Sequence, residues 1–169
     1  MIPASHAHVL FDFTQPDTRP WPPIDDTVMG GVSHSEMRSE NGRAVFAGVV
    51  SLDFGGGFAS VRSNPGALDL SAFTGIEALM RGDGRRYKLV LKSDAGFDWV
   101  NWQAPFQTRC DERQMVRIPF QDLVPVYRGS RVSNAPPFDA HRIATFGFLI
   151  SDKQAGPFRL EIERIVAYR

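Results

Sequence analysis

The chain has 169 residues, 43% of them hydrophobic, with 19 Lys+Arg balanced by 19 Asp+Glu and a single cysteine. A length close to that of one ordinary core predicts a single domain spanning 1–169, and zero net charge speaks against a generally basic nucleic-acid binder or a polybasic membrane-surface protein. Cys110 alone excludes an intrachain disulfide framework and any multi-cysteine zinc site.

Residues Met1 to His6 lack the basic start and apolar run of a secretory signal, and the arginine-rich amphipathic pattern of an organellar presequence. No apolar stretch approaches the ~20 residues of a bilayer span. The expectation is a cytoplasmic protein without a membrane span.

Strand-like runs recur between turn signals, and no long segment keeps a 3.6-residue apolar period, which predicts an all-β sandwich or barrel. A first strand is expected at Val9 to Phe13, followed by an irregular connection from Gln15 to Ile24 that contains four prolines. The run Asp25-Asp26-Thr27-Val28-Met29-Gly30-Gly31-Val32-Ser33 reads as a shaped structural loop built on Asp26, Met29, Gly30 and Gly31. A short strand from Val32 to Met37 comes next. Ala44 to Leu52 and Phe58 to Ser63 read as a hairpin around Gly55-Gly56-Gly57.

Ile76 to Arg81 and Tyr87 to Lys92 read as a second hairpin closed by Gly82-Asp83-Gly84-Arg85. Val100 to Thr108 and Gln114 to Pro119 read as a third antiparallel pair, with Cys110-Asp111-Glu112 in its turn. Gln121 to His141 is a long connection of the kind that suits jelly-roll crossings. Ile143 to Ser151 reads as a central strand covered on both faces. Finally Phe158, Leu160 and Ile162 alternate with Arg159, Glu161 and Glu163, the pattern of a sheet with one dry and one wet face.

Catalytic constellations are thin. Ser33-His34-Ser35 sets a histidine beside two hydroxyls, yet neighbours on a strand point to opposite faces, so a polar edge strand is the simpler reading. Cys110 lies in a charged turn with no identified neighbour to lower its pKa. Paired carboxylates among Asp26, Asp83 and Asp152 would suit glycosidase chemistry, but each has a simpler structural use in a turn or at a strand end. No catalytic residue is assigned. His6 and His8 make an incomplete zinc pair. Asp25 and Asp26 with Asp12 are candidates for an oxygen-only calcium site, against the simpler reading that aspartates here cap turn amides. No metal or cofactor is assigned.

Binding is better supported. In the run from Trp99 to Gln107, residues Asn101, Gln103 and Gln107 share one strand face, and Trp102, Ala104 and Phe106 share the other. With Arg62, Arg81 and Tyr87 from other strands, the amide row would line a concave groove for polyhydroxyl or peptide groups; the competing reading is an ordinary solvated face with the tryptophans in the core. Asp83 and Arg85 stand at an exposed basic tip, and Trp102 completes the candidate binding set.

Several motifs coincide in one order: Asp26-Thr27-Val28-Met29-Gly30-Gly31-Val32-Ser33, Phe46-Ala47-Gly48-Val49-Val50-Ser51-Leu52, Gly56-Gly57-Phe58-Ala59-Ser60-Val61-Arg62-Ser63, Arg81-Gly82-Asp83-Gly84-Arg85-Arg86-Tyr87, Ile118-Pro119-Phe120, and the stretch from Gly147 through Ser151-Asp152-Lys153-Gln154-Ala155-Gly156 to Phe158. Together they resemble the complex I intermediate-associated protein family of thirty kilodaltons over nearly the whole chain. The resemblance implies a galactose-binding-like jelly-roll β-sandwich, similar to carbohydrate-binding modules. It also implies a non-catalytic, chaperone-like assembly factor for NADH:ubiquinone oxidoreductase, with complex I subunits or other assembly proteins as partners. The alternative is a carbohydrate-binding module with a sugar ligand on the concave face.

Overall fold

A computed structural model describes residues 7–16, 19–64, 66–93 and 100–169. The described residues form two antiparallel sheets packed face to face. The first runs in the order β2 (His34–Glu40), β3 (Arg43–Val50), β12 (Gly156–Tyr168), β5 (Gly75–Arg81), β8 (Arg113–Pro119), and β1 (His8–Asp12) also pairs with β12. The second runs β10 (Ser130–Arg131), β9 (Val124–Tyr127), β7 (Asn101–Gln107), β6 (Arg86–Lys92), β11 (Thr145–Ile150), β4 (Ala59–Ser63). The expected all-β sandwich is therefore what the chain forms.

Alternation sets which face is dry. Phe46, Leu89, Phe106, Phe148, Phe158 and Leu160 all join the buried core between the sheets. The thirteen-residue β12 is its spine. β12 pairs with β3 along Gly156 to Ile162, then with β1 along Arg164 to Ala167, while β5 follows it on the other side. A register shift between Ile162 and Arg164 resets the two-residue phase, so Ile162 before it and Ile165 after it both reach the core. On the outer face of this sheet Arg43, Arg81 and Arg113 interleave with Glu161 and Glu163 at 2.9–3.8 Å, an exposed ladder that adds little stability per pair.

All three expected hairpins are instead crossings between the sheets. β3 lies in the first sheet and β4 in the second, so the glycine triplet bridges the layers. β5 and β6 part in the same way at Gly82-Asp83-Gly84, and β7 and β8 part around Cys110. The pairs that do form are β5 with β8 and β6 with β7, one nested in each sheet. Turn residues signal a reversal of direction, and a reversal between layers needs the same residues as one within a sheet. The connection from Gln121 to His141 also holds two short strands, β9 and β10, that extend the second sheet. β11 is central and nearly all buried, as its composition suggested.

Candidate functional site

Asp26 is fully buried. Its Oδ1 accepts the Ser33 amide at 2.9 Å, and its Oδ2 accepts the Ser33 hydroxyl at 2.5 Å and the Gly57 and Phe58 amides at 2.7 and 3.3 Å. Burial alone would raise its pKa, but these donors outweigh it and hold the carboxyl below its ordinary 3.8. Asp25 does the parallel work one residue earlier, accepting the Ser35 amide and hydroxyl and the Ser60 amide at 2.6–3.0 Å. The aspartate pair thus ties the 25–35 loop to the 52–60 loop across both sheets. Its oxygens are occupied by hydroxyls and amides, which is the capping role. Ser33 and Ser35 spend their hydroxyls on this knot while His34 is exposed, so no nucleophile meets a base there.

The two tied loops display apolar side chains outward. Val28, Met29 and Val32 from one, and Leu52 and Phe54 from the other, are all exposed, Met29 by 67% and Phe54 by 77%. Phe54 sits at φ 56°, ψ 31°, a left-handed conformation that costs a bulky residue energy.

Asp83 organises a second knot. Its carboxylate accepts the Arg85 amide at 3.1 Å, the Tyr87 hydroxyl at 2.9 Å and the Arg159 amide at 2.8 Å. Arg85 donates to the Gln154 and Ala155 carbonyls at 2.8 and 3.1 Å. Arg86 and Lys88 hold Asp152 at 3.0 and 3.2 Å. The Arg81-to-Tyr87 motif therefore clips the 151–156 loop in place. Tyr87 is fully buried between the sheets.

The expected single groove does not form. Arg81 projects from the outer face of the first sheet, the opposite layer from Arg62, while Tyr87 lies in the same sheet as Arg62 but pairs with Phe106 and points into the core. Trp102 packs inward against Phe138 with ring centroids 5.5 Å apart, and the Gln107 amide donates to the Gly84 carbonyl at 2.8 Å. Trp99 and His6 lie outside the described residues. His8 is exposed and stacks on Phe73, and Cys110 is an exposed free thiol. Among the described residues no group of three or more His, Cys, Asp or Glu side chains converges in a way that could hold a metal ion.

What remains of the groove is a row on the outer face of the second sheet. Arg62 on β4 pairs with Gly147, Gly147 with Val90, and Val90 with Gln103. Asn101 lies two residues along β7, with its Oδ1 2.7 Å from the Gln103 Nε2 donor. Lys92 and Thr145 are buried on the same face. Sequence reading missed Lys92, although the alternation of Lys88, Val90 and Lys92 with Tyr87, Leu89 and Leu91 carries the signal. It also missed the outward-facing apolar loops and the serines that saturate the aspartate pair.

A two-sheet jelly roll with structural carboxylate knots and two outward-facing surfaces defines a β-sandwich module of the galactose-binding-like kind. The family model for complex I intermediate-associated protein 30 matches residues 11–162. The chain belongs to that family. An uncharacterized protein of Schizosaccharomyces pombe is 31% identical over 85% of this chain and 75% of its own length. The mitochondrial complex I intermediate-associated protein 30 of Drosophila melanogaster is 26% identical, and the match covers 93% of this chain and 61% of that protein. Among solved structures, a family 11 carbohydrate-binding module of Clostridium thermocellum in complex with a mixed-linked tetrasaccharide superposes with a TM-score of 0.72 at 14% identity, over 96% of this chain and 95% of that one. An agarase superposes at 0.65 and 12% identity over 96% of this chain and 24% of the enzyme. At these identities the likeness is one of fold.

Proposed function

We propose that the protein is a non-catalytic binding module that acts through protein contacts, chaperone-like, in the assembly of complex I or a related redox complex. The observation that carries this reading is the apolar display of Val28, Met29, Val32, Leu52 and Phe54, held in place by a buried carboxylate. Large exposed apolar side chains on rigid, internally bonded loops are what a protein partner covers. Family membership supports complex I components or their assembly proteins as the partner class. No helix among the described residues is long and apolar enough to cross a membrane; the Drosophila relative is named as mitochondrial, and a cytoplasmic site of action is part of the proposal. The test is affinity capture from the source organism with Met29→Glu/Phe54→Asp as the matched control. Complex I subunits or assembly proteins enriched by the parent and lost in the variant support the reading. Normal complex I levels in a deletion strain would overturn it.

The alternative reading is carbohydrate binding on the outer face of the second sheet, favoured by the Asn101 and Gln103 amides and by the fold shared with carbohydrate-binding modules. Against it, the described residues on that face include no aromatic ring of the kind that stacks on a sugar. Glycan-array binding lost in Gln103→Ala would support it.

A further inference from the structure

The outer face of the first sheet carries a groove apart from the 25–35 and 52–60 loops. Strand register builds it from two neighbouring rows. In one, Val9 on β1 faces Val166 on β12, then Glu77 on β5 and Arg117 on β8. In the other, two residues along, Arg164 on β12 faces Leu79 on β5, then Met115 on β8. Val9, Glu77, Leu79, Met115, Arg164 and Val166 line a shallow depression of about 280 Å³. Val166 is buried at its floor, while Val9 and Met115 stand 48% and 52% exposed on its two sides.

Charge sets this groove apart from the rest of the face. The ladder beside it neutralises itself: Arg43 and Arg113 hold Glu163 at 3.7 and 2.9 Å, and Arg43 and Arg81 hold Glu161 at 3.4 and 3.8 Å. Glu77 is committed to Arg117, whose guanidinium also lies 4.2 Å from the centre of the Tyr168 ring. Arg164 is exposed and makes no ion pair among the described residues. Its cross-strand neighbour Asp12 spends Oδ1 on the Thr14 amide and hydroxyl at 3.1 and 2.5 Å. Residues 1–6 carry no acidic side chain either. The groove therefore joins an apolar floor to one cation that lacks a counter-charge. Its apolar ground ends at the satisfied ladder on one side and at the Arg117–Tyr168 contact on the other. That is far less than the roughly 800 Å² per partner of a stable protein interface, which favours a small occupant.

We propose that this groove binds a fatty carboxylate, with the acid group on Arg164 and the hydrocarbon chain lying across Leu79 to Met115. These three residues stand in one cross-strand row, so two strand spacings, about 10 Å, separate the charged end from the far wall. A guanidinium fork matches a carboxylate in two parallel hydrogen bonds. Each methylene removed from water against Leu79, Met115 and Val166 adds to the affinity. The site uses neither the exposed apolar loops nor the amide row of the second sheet, so it stands or fails separately from both functional readings.

The test uses the full chain labelled at its methionine methyls and arginine Nε atoms, titrated with decanoate, hexanoate and decanol below their micelle concentrations. The Met115 methyl and the Arg164 Nε–H signals are expected to move together and saturate with decanoate, about tenfold tighter than with hexanoate. Decanoate is expected to bind at least about threefold tighter than decanol, which has the chain without the charge. Met29, on the exposed loop, is expected to stay still. Arg164→Gln, read at the Met115 methyl, is expected to lose the preference over decanol. Met115→Asp, a change at an exposed position, is expected to abolish the response read at the Arg164 Nε–H. Equal binding of decanoate and decanol, an unchanged preference in Arg164→Gln, or no response to any probe would overturn the proposal. Movement of Met29 in place of Met115 would overturn it as well, by putting the amphiphile on the apolar loops. The affinity capture that tests the assembly reading is decided independently of these results.

Discussion

Gly31 and the Asp26 carboxylate are packed so closely that a side-chain carbon on Gly31 would fall 2.5 Å from Asp26 Oδ1. Its neighbour Gly30 has open space around it and a left-handed φ of +89°. The two glycines are thus required for different reasons. Gly30→Ala is expected to cost about 1 kcal/mol, the penalty of a side chain in left-handed backbone. Gly31→Ala is expected to cost more, about 3 kcal/mol, because the carboxylate must move and its donors lose their acceptor. Urea unfolding of the two variants side by side measures the difference.

Asp26 also sets an acid limit on stability. Its folded pKa lies below the ordinary 3.8, so the unfolded chain takes up the proton first as pH falls. The stabilisation is present above the unfolded value and is lost as pH drops through the folded one. Asp26→Asn is expected to be less stable than the parent by about 2 kcal/mol at neutral pH. That gap is expected to narrow below the ordinary carboxylate pKa, as read from unfolding curves over the acid range.

At alkaline pH the relevant group is Tyr87. Burial first, and then the charge of Asp83, push its ionisation far above the ordinary value of 10. The unfolded tyrosine releases its proton near 10 while the folded one keeps it, so stability falls as pH rises past that point. The phenolate absorbance that Tyr87→Phe removes is expected to rise only together with the loss of the far-ultraviolet β signal. At neutral pH the same variant is expected to cost about 1 kcal/mol, since Asp83 keeps its Arg85 and Arg159 amide donors.

Phe54 separates stability from use. In its left-handed conformation a glycine is more comfortable, so Phe54→Gly is expected to leave stability unchanged or raise it by up to about 1 kcal/mol. Capture of partner proteins is expected to fall in the same variant. Thermal melts and the affinity capture described above read the two effects independently.

The fold was legible where side chains alternate. β12 announces its dry and wet faces through Phe158 to Glu163, and strands β3 to β8 lie close to where their apolar runs put them. Layer assignment was not legible, because the Asp83-Gly84 turn chemistry is the same whether β5 and β6 share a sheet or face each other. That ambiguity sent Arg81 to the other layer from Arg62, whereas Tyr87, in the same sheet as Arg62, is turned into the core by the alternation that pairs it with Phe106. Asp26 was recognisable as a loop residue, but its partner Gly57 is thirty-one residues away, beyond any local pattern. The Asn101 and Gln103 face was legible from period two alone.

The partner exchange along β12 has a consequence for how the chain reaches this state. The centre of the first sheet is filled by the last of the described strands, so β3 and β5 each present an open edge until residues 156–168 arrive between them. Strands that wait for a distant partner fold slowly and expose pairing surface meanwhile. Synthesis of this protein therefore passes through a stage in which its own unfinished sheet is its most adhesive surface, and insertion of β12 is the step that closes it.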